Sequence, residues 1–91
     1  MTLKFFATYR EITKCKELSI SAPPDIWALL TALGESYGEK MREKLFTMDG
    51  GEIGEDAIVL LNGRNILHLN GKDTPLKESD VVSIFPLVAG G

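Results

Sequence analysis

The stretch Pro23-Pro24-Asp25-Ile26-Trp27-Ala28-Leu29-Leu30-Thr31-Ala32-Leu33-Gly34-Glu35-Ser36-Tyr37-Gly38 decides the reading of the fold. The two prolines stop any preceding strand, because neither can donate to a ladder. Asp25 then stands where a helix N-cap, or an acid favoured by the helix dipole, belongs. Ile26, Leu30, Leu33 and Tyr37 follow at spacings of four, three and four, which places them on one stripe of a helix. Trp27 and Leu29 widen that stripe, and Gly38 is a C-terminal stop. A second helical piece is expected over 39–46, carrying Met41, Leu45 and Phe46 inward.

The stripe needs an apolar surface to cover, and the flanking segments supply strands. Upstream, Leu3, Phe5, Ala7 and Tyr9 alternate with Lys4, Phe6 and Thr8, which predicts a first strand over 2–9. Phe6 is a large apolar residue on the more polar face. A second strand over 16–21 follows closely, with Leu18 and Ile20 inward, so the two are expected to form a hairpin. Downstream, 49–56 holds Gly50, Gly51 and Gly54 and reads as a loop. Ala57 to Asn62 is nearly all apolar and reads as a buried strand, closed by the Asn62-Gly63 turn signal. Ile66, Leu67 and Leu69 predict a short strand before a turn at Asn70-Gly71. Glu78-Ser79-Asp80 turns the chain into a last strand, Val81 to Phe85, and Pro86 marks the end of central pairing. The order strand, strand, helix, strands defines an α+β class with one main helix across a mixed sheet of four to five strands.

Size and composition narrow the function. The chain has 91 residues, 44% of them hydrophobic and 25% charged, the proportions of one folded domain. A domain this small buries only about 60% of its unfolded surface, which leaves one core and no room for a deep catalytic cleft. The formal net charge is -3, with Asp49, Glu52, Glu55 and Asp56 close together, and no basic stripe. Nucleic acid is therefore not expected as a partner. An acidic body suits a basic protein partner, and the same acids equally serve as a solvated loop. No apolar run approaches the roughly 20 residues that span a bilayer, and Met1 to Phe6 lacks a signal core. With Cys15 as the single cysteine, no internal disulfide forms. A cytoplasmic location, with no membrane partner, is the expectation.

Two side chains compete for a chemical role. Cys15 sits between Lys14 and Lys16, and neighbouring cations favour thiolate. Yet His68, the single histidine, is remote in sequence and no Cys-His motif surrounds either residue, so an incidental cysteine is the better reading. One cysteine and one histidine without spaced partners make no metal site.

The tail, 87–91, is different. A disordered tail is normally polar and charged, whereas Leu87-Val88-Ala89 is apolar and Gly90-Gly91 ends the sequence. Glycine lacks a Cβ, so two of them present a slim carboxylate to a narrow channel. With glycine at about 7% of residues, a chance pair at a terminus occurs in roughly 0.5% of chains. The preceding strand and apolar stretch raise its weight. Ordering five such residues costs on the order of 5–10 kcal/mol, so the folded body must dock as well. Phe6, Ile66 and Phe85 are the candidate docking residues on the sheet, with core packing as the competing reading for each. The expected organisation is a folded domain over 1–86 and an extended, flexible tail over 87–91.

Leu3-Lys4-Phe5-Phe6-Ala7 with Arg10-Glu11, then Leu61-Asn62-Gly63-Arg64-Asn65-Ile66, then Val81-Val82-Ser83-Ile84-Phe85-Pro86-Leu87-Val88-Ala89-Gly90-Gly91, resemble the small subunit of molybdopterin synthase. More broadly they resemble ubiquitin-like sulfur carriers of the MoaD/ThiS type, with wording similar to the archaeal-type branch that includes small ubiquitin-like modifiers. The resemblance implies a β-grasp fold and a non-catalytic carrier. It implies that a ubiquitin-activating-type (E1-like) adenylyltransferase uses ATP to adenylate the Gly91 carboxylate. A sulfur donor protein then displaces AMP and leaves a thiocarboxylate on Gly91. Leu87, Val88, Ala89 and Gly90 would enter the active site of the large catalytic subunit of molybdopterin synthase. There the sulfur builds molybdopterin, or the same pterin for tungsten. No cofactor or metal is expected to bind the chain itself. Conjugation of Gly91 to lysines of other proteins is the alternative function, and a plain interaction module with idle glycines is a third. A carrier for thiazole synthesis is a further branch, although such chains are typically shorter.

Overall fold

The computed structural model describes residues 1–87. Five strands form one sheet: β1 (Thr2–Phe5), β2 (Glu17–Ser19), β3 (Ala57–Leu61), β4 (Arg64–Asn65) and β5 (Val81–Pro86), in the order β2-β1-β5-β3-β4. Three α-helices, α1 (Thr8–Thr13), α2 (Ile26–Tyr37) and α3 (Glu39–Leu45), and two 3-10 turns, Ile66–His68 and Gly71–Asp73, complete the regular structure of the described residues. β1 and β5 pair in parallel at the centre, with Leu3 opposite Val82 and Phe5 opposite Ile84. The other pairings are antiparallel, so the sheet is mixed.

Helix α2 forms where the spacing places it. The Asp25 carboxylate accepts from the Ala28 N–H at 2.8 Å, satisfying one of the orphan donors of the first turn. Ile26, Leu29, Leu30 and Leu33 are buried, and Tyr37 meets Phe5 edge-on at 6.4 Å. Gly38, at φ 85, ends α2 and opens α3 in one residue. Met41 and Leu45 of α3 join the core, while Phe46 remains half-buried against Trp27. The core faces one side of the sheet only: Leu3, Phe5, Val59, Leu61, Val82 and Ile84 point into it.

Two predicted strands, the first and the second, are shorter in the structure, the second reduced from 16–21 to Glu17–Ser19, and a third is not a strand. The first ends at Phe5; the chain turns at Ala7 (φ 53) and continues as α1. Alternation and helical spacing both bring Tyr9 inside, so the pattern alone did not separate them. The strand expected at Ile66 to Leu69 is a 3-10 turn, Ile66–His68. The Asn65 side chain captures the Leu67 N–H at 3.0 Å, which bends the chain away from the sheet edge. That turn buries Ile66 and leaves Leu67 and His68 exposed.

The Asn62-Gly63 turn has both residues left-handed, φ 51 and φ 85, as a tight hairpin turn requires. It also anchors β5. The Asn62 amide donates to the Asp80 carboxylate at 2.9 Å and its oxygen accepts from the Val81 N–H at 2.9 Å. Asp80 is 4% exposed and also accepts from the Lys77 N–H at 2.9 Å. Burial opposes its charge, but the bonds from Asn62 and Lys77 outweigh burial and hold its carboxyl below the ordinary value. A depressed folded-state pKa gives stability that is fully present above the unfolded value, about 3.9, and is lost as pH falls through the folded one. Asp80→Asn is therefore expected to lower the melting temperature at neutral pH and to flatten its fall as the pH drops below about 5. Thermal melts across that range check it, and an unchanged acid slope would remove Asp80 from the account.

Candidate functional site: the uncovered sheet face and the root of the tail

The face of the sheet turned away from the helices carries the side chains that alternate with the core. On β5 these are Val81, Ser83 and Phe85; on β3 they are Ile58 and Leu60, with Ile58 opposite Phe85 and Leu60 opposite Ser83. Lys4 lies beside Ser83 on β1, and Phe6 continues the same side one step past the strand. The Phe6 N–H still donates to the Ile84 carbonyl at 3.1 Å, which holds Phe6 level with the end of β5.

Phe6 and Phe85 are brought together: their rings stack 4.2 Å apart at 9° between planes. The Arg10 guanidinium, from α1, stands 5.9 Å from the Phe6 ring centre. Both rings are half-buried, so each presents one side outward. Ile66 does not join them. It is 2% exposed and belongs to the core, because the 3-10 turn after β4 points it inward. Its assignment to the docking surface is corrected to the core. Ile58 and Leu60 take the place that Ile66 was expected to fill. They were missed because an all-apolar strand reads as buried on both faces, whereas here the helices cover only one.

The tail begins beside this pair. Ala57 and Pro86 form the last ladder pair, and Pro86 has no N–H to give. One more bond continues the line: the Leu87 N–H donates to the Asp56 carbonyl at 3.0 Å. The same carbonyl receives the Tyr9 hydroxyl at 3.3 Å, which also lies 3.0 Å from the Lys44 carbonyl. Tyr9 is fully buried. Burial, and secondarily the Asp56 carboxylate, push its phenol up to about 12. Leu87 is 55% exposed. Val88, Ala89, Gly90 and Gly91, and with them the expected extended tail, lie outside the described residues.

Cys15 packs partly buried against the core after α1. Among the described residues no group of three or more His, Cys, Asp or Glu is placed to hold a metal, and no helix there is long and apolar enough to cross a membrane. A mixed sheet with helices across one face, whose central strand β5 is the last strand described, defines a ubiquitin-like β-grasp protein.

Within that class the chain belongs to the ThiS family, whose match runs over residues 3–91. It is 37% identical over 93 residues to small archaeal modifier protein 3 of Haloferax volcanii, covering 100% of this chain and 98% of the relative. The solution structure of small archaeal modifier protein 1 from Methanosarcina acetivorans superposes with a TM-score of 0.80 at 31% identity, covering 99% of this chain and 94% of that one. A chain in the crystal structure of the BexX/CysO complex of Amycolatopsis orientalis gives a TM-score of 0.81 at 18% identity, over 99% of this chain and 98% of its own, a likeness of fold alone.

Proposed function

We propose that this protein carries sulfur as a thiocarboxylate on Gly91 and donates it in the synthesis of molybdopterin or its tungsten counterpart. The observation that carries the reading is the family match, which runs through both terminal glycines. A carboxylate is a poor electrophile. Adenylation by an E1-like enzyme joins the Gly91 carboxylate to AMP and releases pyrophosphate from ATP. A sulfide equivalent from a sulfur donor protein then attacks the acyl carbon, AMP leaves, and the thiocarboxylate remains. Leu87 to Gly90 form the arm that enters the large synthase subunit, and that subunit excludes water around the sulfur. The chain contributes no catalytic side chain and holds no cofactor. The folded domain, 1–86, docks through Phe6 and Phe85, with Ile58 and Leu60 around them, and its expected setting is the cytoplasm.

A second reading has its own support: the 37% identical relative is called a modifier protein. In that reading the same activated Gly91 is joined to lysines of other proteins. Mass spectrometry of the C-terminal peptide from native cells separates the two. One sulfur in place of one oxygen on Gly91 is the expected result. Gly91 linked to lysines, with no thiocarboxylate found, would overturn the carrier reading in favour of the modifier.

A further inference from the structure

Tyr9 has a hydroxyl that its packing does not need. The ring is fully buried in the core, a position a phenylalanine fills equally well. A buried hydroxyl costs stability unless it is bonded, and this one is aimed at two backbone carbonyls, Lys44 at 3.0 Å and Asp56 at 3.3 Å. The Lys44 carbonyl belongs to α3. The Asp56 carbonyl lies at the end of the glycine-bearing 49–56 loop, immediately before β3. Its two lone pairs take the Tyr9 hydroxyl from inside the body and the Leu87 N–H from the chain end. Among the described residues, this Leu87 bond keeps the chain on the line of β5 beyond Pro86. Tyr9 has one hydroxyl proton, shared between the Lys44 carbonyl and the Asp56 carbonyl, so it steadies the carbonyl that receives Leu87 from within and ties it to α3.

We propose that Tyr9 is a positioning residue for the chemistry at the C-terminus: by holding the Asp56 carbonyl, it fixes the point at which the chain leaves the sheet toward Gly91. This inference rests on the carrier reading and adds a residue to it. Four residues follow Leu87, and fully extended they reach at most about 14 Å. With so short an arm, where its root sits decides where its end arrives. Freeing Leu87 and Pro86 would lengthen the arm but scatter its origin. The hydroxyl retains its proton throughout the physiological range, since its pKa is pushed up to about 12, so the clamp does not switch with pH.

The test is Tyr9→Phe in the full chain, with two readings. The first is amide hydrogen exchange by NMR. Exchange at Leu87 is expected to quicken about tenfold, while Phe5 and Ile84 keep their protection. The second is adenylation by the cognate E1-like enzyme, with kcat and KM separated. Docking uses the opposite face of the sheet, so KM is expected to hold while kcat falls about three- to tenfold. Unchanged exchange at Leu87 would overturn the clamp, as would loss of protection throughout the sheet, which would make Tyr9 a stability residue only. Unchanged kcat in a variant whose wild type is adenylated would overturn its role in the chemistry. If the wild type is not adenylated, the carrier reading fails, and the role of Tyr9 in that chemistry fails with it; the exchange reading still decides whether Tyr9 holds Leu87.

Discussion

A chain lacking Gly91 is expected to fold as the intact protein does and to lose activation by at least about 100-fold. The two halves of that result come from separate parts of the molecule. The core is complete by Ile84, and the last described backbone bond is made by Leu87. The described core and ladder do not involve Gly91, and the melting temperature is expected to stay within about 1 °C, the change of less than about 0.5 kcal/mol usual for substitutions away from a core. The chemistry is less forgiving. The new carboxylate would end about 3.5 Å short, and a misplacement of even about 1 Å costs on the order of 100-fold. Adenylate formation, and the mass of the C-terminal peptide, measure the loss. A truncated chain that still supports cofactor synthesis would show that the terminal glycine is not the reacting group.

Phe85→Lys is the second large effect. In sequence alone Phe85 divides evenly between core and docking surface, and the structure places it on the outer face, stacked on Phe6 at 4.2 Å. Losing the stack costs about 0.5–1.5 kcal/mol beyond the area it buries, and the lysine head can stay in water while its stem covers part of the patch. The fold should survive with a melting temperature lower by several degrees. A central aromatic anchor in an interface is worth about 2–4 kcal/mol. Binding to the E1-like enzyme or the large synthase subunit should therefore weaken roughly 30- to 1,000-fold. Titration calorimetry with either partner, beside a thermal melt, distinguishes the outcomes. Normal binding by a folded variant would move the docking surface elsewhere, and an unfolded variant would return Phe85 to the core.

Sequence carried much of this architecture because local and tertiary preferences agree. In α2 the cap at Asp25, the stripe Ile26-Leu30-Leu33-Tyr37 and the stop at Gly38 all specify the same helix, and all three act there. Val81 to Phe85 and Asn62-Gly63 were equally plain, because alternation and a turn needing left-handed residues leave few options. The misreadings fall where a short polar or backbone device overrides pattern. Ala7 turns the chain before Tyr9, and Asn65 turns it before Ile66; neither leaves a trace in hydrophobic spacing. The same limit hid Ile58 and Leu60, since a run of apolar residues does not say which of its faces the helices will cover. The Tyr9 hydroxyl was invisible for another reason. Its partners are carbonyls 35 and 47 residues away, and backbone groups carry no identity that a sequence displays.

The parallel pairing of β1 with β5 has a kinetic consequence. Thr2 and Val81 are neighbours across the centre of the sheet, so the middle of the structure closes a loop nearly as long as the chain itself. Contacts of such separation return their stabilisation late, after most of the chain entropy has been spent, and folding slows accordingly. On a growing polypeptide, β1, β2 and the helices can gather early, but they have no central strand to gather around. The sheet is completed only when the segment bordering the glycines has been made. Synthesis and folding are thereby coupled: a chain interrupted before β5 lacks the strand that joins the two halves of the sheet, so the fold is completed only once the residues bordering the C-terminal glycines have been made.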